Sequence, residues 1–117
     1  MPPVAVVADS TCYLPPERIE RHSITLVPLY VVFSPERIER EDEITDYPAF
    51  FEELRSADSL PGTSQPSVGD FLACYEPLVA SGGDVASVHL ASGLSGTCES
   101  ATEAARILAE RGHPGRV

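Results

Sequence analysis

Val4 to Ala8 is a continuous apolar, β-rich run that stops abruptly at the polar group Asp9, Ser10 and Thr11. That is the pattern of a strand buried on both faces, and a parallel sheet is its usual host. Pro15 and Pro16 then open a short helical stretch carrying Glu17, Ile19 and Glu20, because proline lacks an N–H that a first helical turn leaves unpaired anyway. Ile24 to Phe33 is a second β-branched run, broken by Pro28, which implies an edge position or a bend. Asp46 is placed to cap a helix with Pro48 in its first turn and Phe50, Phe51 and Leu54 on its apolar face. That helix is predicted to end near Ala57.

Ser59 to Ser67 reads as a loop rich in Pro, Gly, Ser and Thr, closed by Ser67 and Asp70 at the spacing of a capping box. A helix follows from Val68 to about Ser81, with Pro77 expected to kink it and Gly82 and Gly83 to stop it. Val85 to Leu90 is predicted as a third strand and Ala91 to Ser95 as a loop. The next helix carries Ala101, Ala104, Ala105 and Leu108 at helical spacing, and Gly112 and Pro114 terminate it. Arg116 and Val117 read as the start of a fourth strand. The order β-α-β-α-α-β-α predicts an α/β fold, an open, mainly parallel sheet with helices on both faces in the Rossmann-like manner.

At 117 residues the chain fits one lobe with a small but usable core. A net charge of -10 surrounds it with a field that repels phosphate backbones and anionic head groups. Nucleic acid and membrane surfaces are therefore not expected partners. Cys12, Cys74 and Cys98 form no C-x-x-C pair, so they read as reduced thiols rather than a disulfide framework or zinc site. The apolar start lacks the features of a signal peptide, and no apolar run approaches the roughly 20 residues that span a bilayer. A soluble, cytoplasmic protein is the expectation. The acidic runs Glu41, Asp42, Glu43 and Glu52, Glu53 have no His or Cys at ligand spacing and read as a solvated face, so no metal site is expected.

In open α/β sheets ligands bind beyond the carboxyl ends of the strands. Three hydroxyl-bearing loops fall there: Asp9 to Thr11, Gly62 to Ser67, and Ser92 to Thr97. The third runs straight into a helix, so backbone N–H groups at Gly96 and Thr97 and the helix dipole would favour an anion. Hydroxyls of Thr63 and Ser95 would complete the cradle, with Asp9, Ser10, Thr11, Ser64 and Ser92 as candidate lining residues. Ser and Thr in such loops also cap helices, and that plainer role competes with the first. No dinucleotide fingerprint or phosphate loop is present. Gly93, Leu94, Ser95, Gly96, Thr97 comes close to the nucleophile elbow G-x-S-x-G, with Thr97 in place of the last glycine. A serine hydrolase is thus the rival reading, and His22, His89 and His113 offer it no convincing base.

Val7-Ala8-Asp9-Ser10-Thr11, Val27-Pro28-Leu29, Thr63-Ser64-Gln65-Pro66-Ser67 and Leu94-Ser95-Gly96-Thr97 followed by Ser100-Ala101 together resemble the DegV family of bacterial fatty-acid-binding proteins. The resemblance runs from near residue 4 to about residue 105. It implies that residues 1–117 are the N-terminal lobe of a two-lobed binder, incomplete here and without the second lobe. It implies further that Thr63 and Ser95 hold the carboxylate of a long-chain fatty acid. The family's binders carry no catalytic machinery or cofactor of their own. In phospholipid metabolism they present the acyl chain to an ATP-binding fatty acid kinase subunit, which forms the acyl phosphate. Gly93 stands where the family often has a second Ser, and Cys98 replaces a common aromatic. Burying about 14 methylenes at ~0.8 kcal/mol each would yield on the order of 10 kcal/mol before association costs. A fragment that only folds or docks, binding nothing, is the third reading.

Overall fold

The structure, a computed structural model, describes residues 3–117. Strand β1 (Val4–Asp9) is central in a parallel sheet, flanked by β2 (Thr25–Val27) and β6 (Asp84–Val88). Burial alternates along β6 and the first part of β1, and the end of β1, from Val7 to Asp9, is buried throughout. Val7 and Val85 point into the core, whereas Val6 and Val88 lie exposed on the opposite face.

The core side of this sheet is covered by α3 (Val68–Ala80) and α4 (Thr97–Glu110), which pack on each other. Phe71, Tyr75 and Val79 of α3 are completely buried, as is Ala104 of α4. Small residues at Ala101 and Ala104 let the two helices approach closely, and Leu108 seals the far end of the cluster. The apolar residues of α4 thus fall on one stripe, as their spacing predicts. Ser67 and Asp70 form the predicted capping box at the start of α3, each side chain accepting from the other's backbone N–H at 3.0 Å. The helix continues past Pro77 to Ala80, and the Pro77 carbonyl accepts from Ser81 N–H. Gly112, at φ +75°, supplies the left-handed residue beyond α4.

Pro28 does both things its sequence context implies: β2 is an edge strand, and the chain bends there into a second sheet. With no N–H at Pro28, the next donor is Leu29 N–H, which bonds Ser10 Oγ at 2.9 Å. The second sheet is antiparallel in the order β4-β3-β5, made of β3 (Tyr30–Ser34), β4 (Arg37–Arg40) and β5 (Gly62–Ser64). β3 continues the apolar run Ile24 to Phe33, whereas the polar strands β4 and β5 carry no hydrophobic alternation that would mark them. Gly62 to Ser64, expected within a loop, is therefore a strand, held by pairing with β3 rather than by its own propensity.

Helix α1 (Pro16–Arg21) is short and closes with Ser23 left-handed at φ +51°, Ile24 N–H returning to the Ile19 carbonyl at 3.0 Å. Helix α2 (Tyr47–Ser56) starts as predicted, with the Asp46 carboxylate accepting from Ala49 N–H at 3.1 Å. At the other end of the chain Arg116 runs beside β6, its carbonyl accepting from Val85 N–H at 2.7 Å. No helix among the described residues is long and apolar enough to cross a membrane.

Candidate functional site

The period of two that orients Val7 and Val85 into the core carries Asp9, at the carboxyl end of β1, and Ser87 and His89, at that of β6, onto the same side. Asp9 is 1% exposed. Its Oδ1 accepts from Thr11 N–H at 2.9 Å and from the Thr11 hydroxyl, and its Oδ2 accepts from Leu90 N–H at 3.2 Å. His89 Nδ1 lies 2.9 Å from the same Oδ2. Burial pushes the Asp9 carboxyl up, but the hydrogen bonds from Thr11, His89 and Leu90 outweigh it and hold the group below the ordinary carboxylate range. An ionised Asp9 has only acceptors, so Nδ1 is the protonated nitrogen facing it.

The other imidazole nitrogen, Nε2, meets Ser87 Oγ, which in turn meets the Tyr75 hydroxyl. Phe71 packs edge-on against the His89 ring at 5.1 Å between centroids. Burial raises the Tyr75 phenol to about 12. This chain of polar groups from the helical core to the strand ends was not foreseen. The geometry binds His89 to Ser87 and Asp9 rather than to Ser95. Only its alternation with Ser87 and Asp9 along paired strands could have flagged it.

The other two loops carry the candidate anion donors. Thr63 and Ser64 sit exposed on β5, Thr63 in register with Val31. Ser92 is exposed in the loop after β6. Ser95 Oγ accepts from Thr97 N–H at 3.2 Å and lies 2.8 Å from Thr97 Oγ1. The Thr97 side chain is completely buried, so this hydroxyl is committed to Ser95. If Thr97 donates in that pair, the half-buried Ser95 hydroxyl keeps its proton for an outside acceptor. Gly96 is the N-cap of α4 and has no side chain to occupy the helix end; with Thr97 N–H given to Ser95 Oγ, the positive end of the helix dipole still favours an anion there.

Gln65 joins the two loops. Its Nε2 donates to Ser100 Oγ in the first turn of α4 at 3.1 Å. Its amide also lies so close to Gly96 that a Cβ there would overlap it. The T-S-Q-P-S segment and the L-S-G-T turn are therefore neighbours, with Pro66 buried between β5 and α3. Gln65 carries this junction and was not singled out from the sequence.

Asp9 and Ser10 sit at this end of the sheet but are buried and committed. Ser10 Oγ accepts from Leu29 N–H and donates to Glu41 Oε2 at 2.6 Å. Among the described residues no cluster of His, Cys, Asp or Glu could hold a metal ion. The acidic runs are paired on the surface, Asp42 with Arg40, Glu53 with Arg37 and Glu52 with Arg55. A cavity of about 520 Å³ lies between α1 and the Glu41–Tyr47 segment, with Leu14, Ile19 and Leu26 among its walls. Glu41 and Glu20 also line it, so it is unsuited to a carboxylate ligand.

Comparison with known proteins fits this architecture. The DegV family model, described as "Uncharacterised protein, DegV family", matches residues 3–115. Protein DegV of Bacillus subtilis is 48% identical over 101 residues, which is 86% of this chain and 36% of that protein. The crystal structure of DegV from Bacillus subtilis, described as a fatty acid binding protein, superposes with a TM-score of 0.82 at 45% identity, covering 92% of this chain and 38% of that one. A fatty-acid-binding DegV family protein from Thermus thermophilus gives 0.80 at 35% identity, covering 91% and 38%. A Thermotoga maritima protein whose structure revealed a fatty acid binding function gives 0.81 at 36% identity, covering 100% and 42%. The chain spans well under half the length of these relatives. With the family match running nearly end to end and the parallel sheet, helices and loops in the same arrangement, this chain belongs to the DegV family.

Proposed function

We propose that this chain is the N-terminal lobe of a long-chain fatty-acid binder and supplies most of the carboxylate site. Thr63, Ser95 and the backbone of Gly96 and Thr97 hold the head group, with Ser64 and Ser92 at the rim. The observation that supports the reading is the junction made by Gln65, which ties the segment following β5 to the amino-terminal end of α4. A carboxylate there would meet hydroxyl donors and the positive end of a helix of 14 residues. Relatives at 35–45% identity described as fatty-acid-binding support the ligand class.

In this reading the protein does no bond-making chemistry. It carries the acyl chain and offers its carboxylate to an ATP-binding kinase subunit, the partner that the family resemblance implies. The acyl chain needs an apolar wall that the carboxylate loops do not provide, and the second lobe of the longer relatives is its proposed source.

Native mass spectrometry of the protein purified from bacteria tests the ligand class. A co-purified long-chain fatty acid supports it, whereas a stoichiometric nucleotide, sugar or metal without lipid overturns it. Thr63→Val and Ser95→Ala test the site. Each removes one charge-assisted hydrogen bond worth roughly 1.5–3 kcal/mol, so oleate binding should weaken about tenfold or more. Undiminished affinity in both variants would return these hydroxyls to the role of helix caps.

A further inference from the structure

We propose that Asp9 and His89 are a positioning pair for the carboxylate site, fixing the Leu90–Thr97 segment that presents Ser95. This inference rests on the fatty-acid reading above and adds a cause for the loop's geometry.

Parallel pairing of β1 with β6 ends at Ala8 and Val88. Beyond that point the Leu90 N–H has no ladder partner, and the side chain of Asp9 takes over, accepting it at 3.2 Å across a sequence separation of 81. The same oxygen meets His89 Nδ1 at 2.9 Å. Both side chains of the pair are 2% exposed, so neither touches a ligand.

From Leu90 the constraint passes outward in short steps. The Leu90 carbonyl accepts from Cys98 Sγ of α4 at 3.5 Å. The Ala91 carbonyl accepts from Leu94 N–H at 2.9 Å and from Ser95 N–H at 3.3 Å. Ser95 is thus hung from a turn whose first residues are pinned on one side by Asp9 and on the other by α4. The His89 ring is itself fixed by Ser87 and by the edge of Phe71, so the pin has a rigid base in the core. The pairing also has an electrostatic sense: a buried carboxylate beside an anion site would repel the anion, and the donors of His89, Leu90 and Thr11 compensate its charge.

Asp9→Asn tests the assignment, because an amide cannot accept from Thr11, His89 and Leu90 together. Two readouts are needed on the chain: backbone amide resonances, and affinity for oleate. The expected result is displacement of the Leu90 to Thr97 resonances with those of Val4 to Val7 nearly unmoved, and an affinity loss of about tenfold. Unchanged Leu90 to Thr97 resonances in Asp9→Asn, or oleate affinity within twofold of the unaltered chain, overturns the proposal. Should Asp9→Asn not fold, hydrogen exchange in the unaltered chain decides: Leu90 N–H protected like the β6 amides supports the pin, and exchange at the rate of an open loop overturns it. If the unaltered chain, without the apolar wall of a second lobe, binds no oleate, the pair stands or falls on the resonances alone.

Discussion

Replacing Gly96 with alanine would strain the junction between the two hydroxyl loops without touching either hydroxyl. At φ −76° and ψ 6° the backbone accepts alanine. The loss of freedom in the unfolded chain would by itself stabilise the protein by about 0.4–1 kcal/mol. The obstacle is Gln65, whose Cδ and Nε2 would both lie 2.7 Å from the new Cβ. These atoms are the far end of a flexible side chain, so Gln65 swings away and its bond to Ser100 Oγ is broken. Ser100 is 6% exposed. Its hydroxyl then loses a partner in a buried site, a cost of about 1–3 kcal/mol. Set against the entropic gain, the net loss should be about 1–2 kcal/mol, which lowers a urea midpoint by about 0.5–1 M at a slope near 2 kcal/mol/M. Repeating the substitution in a Gln65→Ala background removes the obstacle, and there Gly96→Ala should be neutral or stabilising. The resulting coupling of about 1 kcal/mol or more is what the contact predicts. Equal losses in the two backgrounds would refute the claim that Gln65 bridges the loops over Gly96.

Three further outcomes are expected. The Tyr75 phenol titrates at about 12 instead of its ordinary 10, a raised value, so its contribution is intact below pH 10 and is lost as pH rises through 12. Tyr75→Phe should flatten the decline in urea stability over that interval, which two pH units put at roughly 2–3 kcal/mol, and a decline of the same depth in the variant would show that other groups cause it. Ser67→Ala removes one half of the capping box of α3 and should cost about 1 kcal/mol in thermal or urea unfolding, with a loss under a few tenths marking the box as ornamental. A fluorophosphonate should leave Ser95 unlabelled, since its hydroxyl is bonded to Thr97 and the imidazole of His89 to Ser87 and Asp9; a stable adduct at Ser95 would favour the hydrolase.

What could be read directly from the chain is what near neighbours decide. The apolar run Val4–Ala8 marks a buried strand, and Asp46, Ser67 with Asp70, and Gly112 mark helix ends, because caps and left-handed turns depend on residues three or four positions apart. The hydroxyl motifs around Thr63 and Ser95 were equally visible, since residue type and order identify them. Strands β4 and β5 were not. Arg37–Arg40 and Gly62–Ser64 have no intrinsic strand pattern and are extended only because β3 offers its edges. The contacts of Gln65 with Ser100 and of Asp9 with His89 and Leu90 span separations of 35, 80 and 81 residues. No local propensity encodes such pairs. They exist because the parallel register aligns the ends of β1 and β6, and because burial leaves a charged or polar group no partner except the one that the fold brings to it.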